Sequence, residues 1–398
     1  MTRDYPHLKF VRHWQVTAAA TYELGQCDAI IQGISNTPLL PDYHQKLLRV
    51  SLTKGAQATT AIEGNTLSEE EIQQVAAGES LPPSKEYQQI EVKNILDAFN
   101  SLLSEVTKTD HVERISPDLL KRFHAMIGKD LGPHFDAIPG QFRTDNRTVG
   151  PYRAPDFEDV PELVERMCTW LVEEFHFDKG QTFAESVTQA IVTHVYIEWI
   201  HPFGDGNGRT GRLAEFYILL RAGNPDIASH ILSNFYNETR AEYYRQIDNA
   251  FRKQELTDFI EYAAQGLRDG LLKTLKTIQQ NQFDITWRKL IYDKFAEKKY
   301  RKKTVYARQR SLALAIPMNG PLKLEQIASI STDVAKLYAT LSERTLRRDL
   351  EMLVEMGLLV QIEDKFIANT TVLQSQVPQQ RAWRRGQLTD RPQSARST

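Results

Sequence analysis

The chain has 398 residues, 41% of them apolar and 25% charged, with a formal net charge of −2; this length exceeds one hydrophobic core and implies two or three domains. The near-neutral balance excludes a global field for nucleic acid or membrane, so any such binding needs a local patch. No apolar run is long enough to span a bilayer, and MTRDYPHLKF lacks a secretory build. Cys27 and Cys168 stand far apart without metal spacing, so two buried thiols in a reduced, cytoplasmic setting are expected.

The first hundred or so residues read as helical. TAAATYELGQCDAIIQGI and YHQKLLRVSLTKGAQATTAI carry apolar residues at spacings of three and four. Gly64 is placed to stop the second helix, and Ser68 with Glu71 forms a capping box that starts a third. EYQQIEVKNILDAFNSLLSEV is the next long helix. Ser116-Pro117 then opens ISPDLLKRFHAMIGKDL. GQFRTDNRTVGPYRAPDF breaks the helical pattern, and its alternation suits a small hairpin. Helical spacing resumes in VPELVERMCTWLVEEF. Thr182 and Glu185 form a capping box before FAESVTQAIVTHVYIEWI, where Val187, Ala190, Ile191, His194 and Val195 share a face. RLAEFYILLRAG, ETRAEYYRQIDNAFRK and TDFIEYAAQGLRDGLLKTLKTIQQ follow as helices, the last as one long helix or a pair. A strongly basic stretch over 287–310 marks a boundary or a basic face. LKLEQIASI, SERTLRRDLEMLVEMGLL and VQIEDKFIAN read as helix, helix and two short strands, and the polar tail from about 374 as disordered.

HPFGDGNGRTGR, residues 201–212, lies between two of these helices. GNGRTG satisfies the G-x-G-x-x-G pattern, but a dinucleotide fingerprint needs a preceding strand. A bare flexible turn with surface charges is the plainer reading. It leaves Asp205, Asn207, Arg209 and Arg212 crowded together without a reason. An anion site accounts for them. Glycines admit phosphate to backbone N–H groups, and the following helix, starting near Arg209, aims its dipole at the same charge. Arg209 and Arg212 reach forward as charge-assisted donors. Asp205 offers a hard oxygen to Mg²⁺, and His201 titrates near working pH, as a general base must. Those parts suit transfer of a phosphorus-containing group from a nucleotide. Histidines 194 and 201 with Asp205 also allow a transition-metal site, against a plain core role for His194.

The twelve residues resemble the signature of Fic-domain proteins, His-x-Phe-x-Asp/Glu-Gly-Asn-Gly-Arg-x-x-Arg, at all its defining positions. The resemblance covers roughly residues 40–265. It implies transfer of AMP from ATP to a Ser, Thr or Tyr hydroxyl of a target protein. By it, His201 is the general base, Asp205 the Mg²⁺ ligand and Phe203 the anchor of the loop. Gly206, Asn207, Gly208, Thr210 and Gly211 cradle the nucleotide, and Arg209 and Arg212 hold the β- and γ-phosphates. GQFRTDNRTVGPYRAP resembles the family's flap, with Val149, Gly150 and Tyr152 binding the target. LSNFYNETRAEYYRQI resembles the adenine segment, with Tyr236, Tyr243 or Tyr244 as pocket residues; core tyrosines are the alternative. Glu63, by itself a solvated glutamate at a helix end, falls in Thr59-x-x-x-Glu63-Gly64. That stretch resembles an inhibitory motif whose glutamate takes Arg212 from the γ-phosphate, and which in some members removes AMP. Phosphate or phosphocholine transfer is a minor variant.

The C-terminal third looks like a winged helix. Leu346, Leu350, Leu353 and Val354 form a buried stripe behind a Ser342 cap, and Arg344, Arg347 and Arg348 face elsewhere. The expectation is a mainly α protein. A helical segment at 1–110 carries the inhibitory motif at 59–64, a Fic core with a hairpin flap occupies 111–275, and a winged helix 286–372, with a disordered tail at 373–398. It implies ATP and Mg²⁺, a hydroxyl-bearing target protein, a homodimer and no membrane, with DNA or protein docking at the winged helix. The rival is a DNA-binding regulator whose Fic core only senses nucleotide.

Overall fold

The computed structural model describes residues 3–108, 113–175, 183–298 and 302–374. The expected capping role of Thr182 and the tail beyond residue 374 lie outside them. The helices are α1 Ala18–Ser35, α2 Pro41–Ala61, α3 Glu69–Ala76, α4 Glu86–Lys108, α5 Pro117–Ile127, α6 Val160–Glu174, α7 Phe183–Ile200, α8 Asn207–Arg221, α9 Ile231–Glu238, α10 Arg240–Lys253, α11 Thr257–Glu297, α12 Lys303–Ala315, α13 Leu324–Ala328, α14 Thr332–Tyr338, α15 Glu343–Glu355 and α16 Thr371–Gln374. A hairpin, β1 Thr148–Val149 and β2 Tyr152–Arg153, precedes α6; β3 Leu322–Lys323, β4 Leu359–Ile362 and β5 Lys365–Ala368 lie near the C-terminus. The protein is mainly α, as its sequence implies.

Local chemistry sets these boundaries. Ser68 Oγ accepts from Glu71 N, and Glu71 Oε2 accepts from Ser68 N at 3.0 Å, so the capping box at α3 is complete. Ser116 Oγ accepts from Leu119 N at 3.1 Å and starts α5. Gly64, at φ 102°, turns the chain after α2. TDFIEY and the residues after it form one helix running to Glu297.

Two compact units divide the chain, at residues 278 and 279. In the first, a single core unites the N-terminal helices with the central ones, from Leu24 and Ile31 through Phe99 and Phe123 to Tyr217 and Leu271. At its centre lie α7 and α8. Every residue from Ser186 to Ile197 is buried, and so is every residue from Asn207 to Leu220. The single face expected for α7 is therefore a correction: the helix is surrounded, which is why its apolar positions show little periodicity.

In the second unit, α12, β3, α13, α14, α15, β4 and β5 enclose a core that includes Leu312, Ile327, Leu346, Leu350 and Leu353. The sheet is antiparallel in the order β3-β5-β4. Ser342 stands before α15, but its hydroxyl meets Thr345 Oγ1 at 3.2 Å and makes no capping bond to the backbone. Asp349, inside the apolar stripe of α15, is fully buried. It accepts from Arg308 Nε at 2.7 Å, Gln309 Nε2 at 2.7 Å and Tyr338 OH at 2.9 Å, tying α15 to α12 and α14. Asp349→Ala strands Arg308 and is expected to destabilise this unit by about 3 kcal/mol, seen as a lowered unfolding midpoint in the full chain.

Candidate active site

The turn from His201 to Gly206 is built by Asn207 just after it and by two residues distant in sequence, His124 and Arg143. Asn207 Oδ1 accepts from Phe203 N and its Nδ2 donates to Phe203 O, both at 2.9 Å, so one amide closes the loop. Phe203 is fully buried and stacks on His124 with ring centroids 3.8 Å apart. Gly140 N donates to His124 Nδ1 at 2.9 Å, which leaves Nε2–H to donate to Asp205 O at 3.0 Å. Burial pulls the His124 pKa down to about 4, so the ring stays neutral and keeps that tautomer. Arg143 donates from Nε to His201 O at 2.7 Å and from its backbone N to Pro202 O at 3.0 Å. Neither His124 nor Arg143 stands out in the sequence. One sits on the buried face of α5 and the other in the irregular stretch before the hairpin.

His201 has φ 51°, in the left-handed region, and follows α7 directly. Burial lowers its pKa against the nearby Glu198 carboxylate, which acts to raise it. The imidazole is therefore neutral at pH 7 and able to accept a proton. Gly206, at φ 77°, is the residue before α8. That helix begins at Asn207, two residues earlier than expected, so its first turn includes Gly208, Arg209 and Thr210. A side chain at Gly208 would strike the Glu63 carboxylate and lie 2.9 Å from Arg212 Nη1 and 3.0 Å from Glu198 Oε1. A side chain at Gly211 would come within 2.6 Å of the His194 ring, so α7 and α8 approach closely only because that position is glycine.

Glu63 lies two residues past the last helical residue of α2 and meets Arg212. The guanidinium donates from Nη2 to Glu63 Oε1 at 2.5 Å and to Thr59 O at 3.0 Å, and from Nε to Thr59 Oγ1 at 2.7 Å. Burial opposes its charge, but Glu63, with Tyr243 and Glu198 beside it, more than offsets burial and raises its pKa. Its Nη1 is buried and lacks a hydrogen-bond partner among the described residues. Arg209 is equally hidden. It donates to Glu91 Oε1 at 2.7 Å and to Asp205 Oδ1 at 3.0 Å, and its Nε is unpartnered among the described residues. Asp205 also accepts from Asp136 N at 3.3 Å and keeps 34% of its side chain exposed.

The expected flap is present as the β1–β2 hairpin, with Val149 opposite Tyr152 and Gly150 at φ 56° in its turn. Val149 is exposed, whereas Tyr152 anchors the hairpin by donating to Trp199 O and meeting His7 Nε2 at 3.1 Å. Tyr236 and Tyr243, expected in an adenine pocket, are in the interior instead. Tyr236 OH donates to Glu215 Oε1 at 3.0 Å and Tyr243 OH meets His194 Nε2 at 2.9 Å. Their hydroxyls hydrogen-bond one atom each of an ion pair buried between α7 and α8. Burial disfavours a charged His194, yet Glu215 at 3.0 Å and Glu198 at 3.7 Å together overcome it and bring the pKa up to about 9. Tyr244 is exposed and donates to Ile62 O at 3.2 Å, beside Glu63. No cluster of three His, Cys, Asp or Glu with metal-binding geometry occurs among the described residues. No helix there is long and apolar enough to cross a membrane.

The Fic/DOC family model matches residues 114–219, which hold α5, the hairpin, α7 and most of α8. The protein adenylyltransferase fic-1 of Caenorhabditis elegans is 27% identical over 271 residues, covering 62% of this chain and 50% of that protein. Its Caenorhabditis briggsae counterpart is 31% identical over 209 residues, 52% of this chain and 38% of its own length. The chain thus spans half or less of these relatives. A solved Fic family protein from Desulfovibrio desulfuricans shares the fold over 90% of this chain and 98% of its own, with a TM-score of 0.55 at 20% identity. Caenorhabditis elegans Fic-1 shares it over 67% of this chain and 74% of that structure, with a TM-score of 0.54 at 23% identity.

Proposed function

We propose that this chain, whose residues 114–219 form a Fic/DOC-family domain, transfers AMP from ATP to a hydroxyl side chain of a target protein and is held in check by Glu63. The carrying observation is the first turn of α8. There a neutral His201 precedes the backbone of Gly206 to Gly208, a buried Arg212 keeps its Nη1 unsatisfied, and the absent side chain of Gly208 leaves room beside Glu63, Arg212 and Glu198. Such an arrangement suits a triphosphate, since the N–H groups and dipole of the helix start favour the same charge.

In the reaction, the target hydroxyl oxygen bonds to the α-phosphorus as the bond to the pyrophosphate oxygen breaks. The hydroxyl proton passes to His201, and pyrophosphate leaves with both remaining phosphates. Arg212 is the donor suited to the γ-phosphate once Glu63 is displaced. Val149, exposed on the flap, is placed for strand addition by the target backbone. Of the three tyrosines read for the adenine, Tyr244, exposed beside the end of α2, is the one suited to that role. The partly exposed Asp205 carboxylate suits a Mg²⁺ that keeps most of its waters, and the ion would neutralise phosphate charge there.

We read the second unit as a winged helix, on the strength of its element order and its β3-β5-β4 sheet. Docking to protein suits it better than DNA. Arg347 lies 3.6 Å from Glu343, and the turn between β4 and β5 carries Glu363 and Asp364, which would repel phosphates.

The test uses the Glu63→Gly chain with ATP labelled at either the α- or the γ-phosphate. Label from the α position is expected in protein and label from the γ position in free pyrophosphate. Protein-bound γ label would mean phosphate transfer, and nucleotide binding without any transfer would mean a sensor.

A further inference from the structure

Both arginines at the start of α8 already face a carboxylate. Arg212 meets Glu63, while Arg209 donates to Glu91 Oε1 at 2.7 Å. Glu91 lies on α4, and the Arg209–Glu91 pair leaves only 5% and 12% of its two side chains exposed. The second oxygen of Glu91 accepts from Asn65 Nδ2 at 3.0 Å. Asn65 stands two residues after Glu63 and is 8% exposed. Its Nδ2 also donates to Gln88 O at 3.0 Å, and its Oδ1 accepts from Leu67 N at 3.1 Å. Its side chain is thus spent on tying the end of α2 to α4. The contacts run from Arg209 through Glu91 and Asn65, across Gly64, to Glu63 and Arg212, and so link the two arginines of α8 through α4 and the end of α2.

We propose that Asn65 and Glu91 form a second inhibitory contact, a latch in which Glu91 holds Arg209 from the anion site and Asn65 keeps Glu63 on Arg212. The inference rests on the proposed adenylyl transfer and names a further control on that same site. A buried arginine loses much when its partner leaves. Besides Asp205, which shares Arg209, incoming phosphates must therefore replace Glu63 and Glu91, and the Asn65 bonds resist loss of Glu63 by fixing the α2 end. Asn65 acts through Glu63, and Glu91 through Arg209, so both are positioning residues.

The experiment measures incorporation of AMP from α-labelled ATP, and ATP affinity, in full-length chains. Asn65→Ala is expected to raise incorporation about tenfold, the effect of losing one hydrogen bond to a charged group. The same change in Glu63→Gly should add nothing, because no brake remains to be held. Glu91→Gln in Glu63→Gly should tighten ATP binding several-fold by releasing Arg209 from its buried partner, and lower the unfolding midpoint of the ATP-free chain, since the buried arginine loses that carboxylate. Should Asn65→Ala fold poorly, Asn65→Asp turns the donor into a repelling carboxylate and is expected to activate in the same way. Wild-type incorporation by both Asn65 variants, beside an active Glu63→Gly, overturns the latch alone. Weaker ATP binding in the Glu91→Gln double variant also overturns it, since Glu91 would then support Arg209 for binding. A Glu63→Gly chain that neither binds ATP nor transfers AMP overturns the adenylyl-transfer reading and the latch together.

Discussion

Glu63→Gly is expected to raise AMP incorporation about 10²-fold, because a small displacement of the reacting atoms costs a factor of that order. The reasoning is local. Arg212 is 1% exposed, and its Nε and Nη2 are spent on Glu63 and both oxygens of Thr59. While Glu63 remains, its carboxylate occupies that cation and repels a γ-phosphate from it. Removal leaves the Thr59 contacts in place, so the arginine stays aimed at the turn. It also leaves a buried cation short of its anion. The variant should therefore lose about 1–3 kcal/mol of stability, and ATP should restore more of it than in the unaltered chain. Thermal unfolding with and without ATP checks the second effect, and labelling checks the first. A folded variant with unaltered incorporation would remove Glu63 from the account.

Replacement of His201 should abolish transfer and spare binding. A positioned base contributes about 10²–10⁴ to rate, so incorporation by Glu63→Gly should fall by at least the lower figure. Asparagine is the better substitution. His201 holds φ 51°, a conformation that strains alanine and that asparagine tolerates. The Arg143 contact to the His201 carbonyl survives either change. A pH profile separates loss of the base from loss of shape. Burial lowers the His201 pKa, so the rate should be lost only as pH falls through a value below the ordinary 6.5, and be flat across neutrality. His201→Asn should bind ATP normally. Its residual rate should lack that limb. A transfer rate close to that of the parent would assign the proton to another group.

The chemistry of the turn could be read early because it is contiguous. Four glycines, His201, Asp205, Asn207 and the two arginines fall within twelve residues, so spacing alone suggests an anion site. Glu63 was readable only through a short motif, since its partner lies 149 residues away. Glu91 carried no signal. It is one charged residue on a charged helix, and what distinguishes it is Arg209, 118 positions on. Tyr236 and Tyr243 show the opposite failure. An adenine pocket and a protein core ask for the same aromatic ring, and only the buried His194–Glu215 pair decides that their hydroxyls face inward. Asp349 was hidden in the same way, between Leu346 and Leu350 on a helix read for its apolar stripe.

The central claim is that a triphosphate lies against the start of α8 with its α-phosphorus facing His201. A crystal structure of Glu63→Gly with ATP and Mg²⁺ tests it most directly. The predicted density has the γ-phosphate on Arg212 and the imidazole turned toward the α-phosphorus. ATP bound elsewhere, with the turn around Gly208 filled by the protein's own side chains, would contradict it.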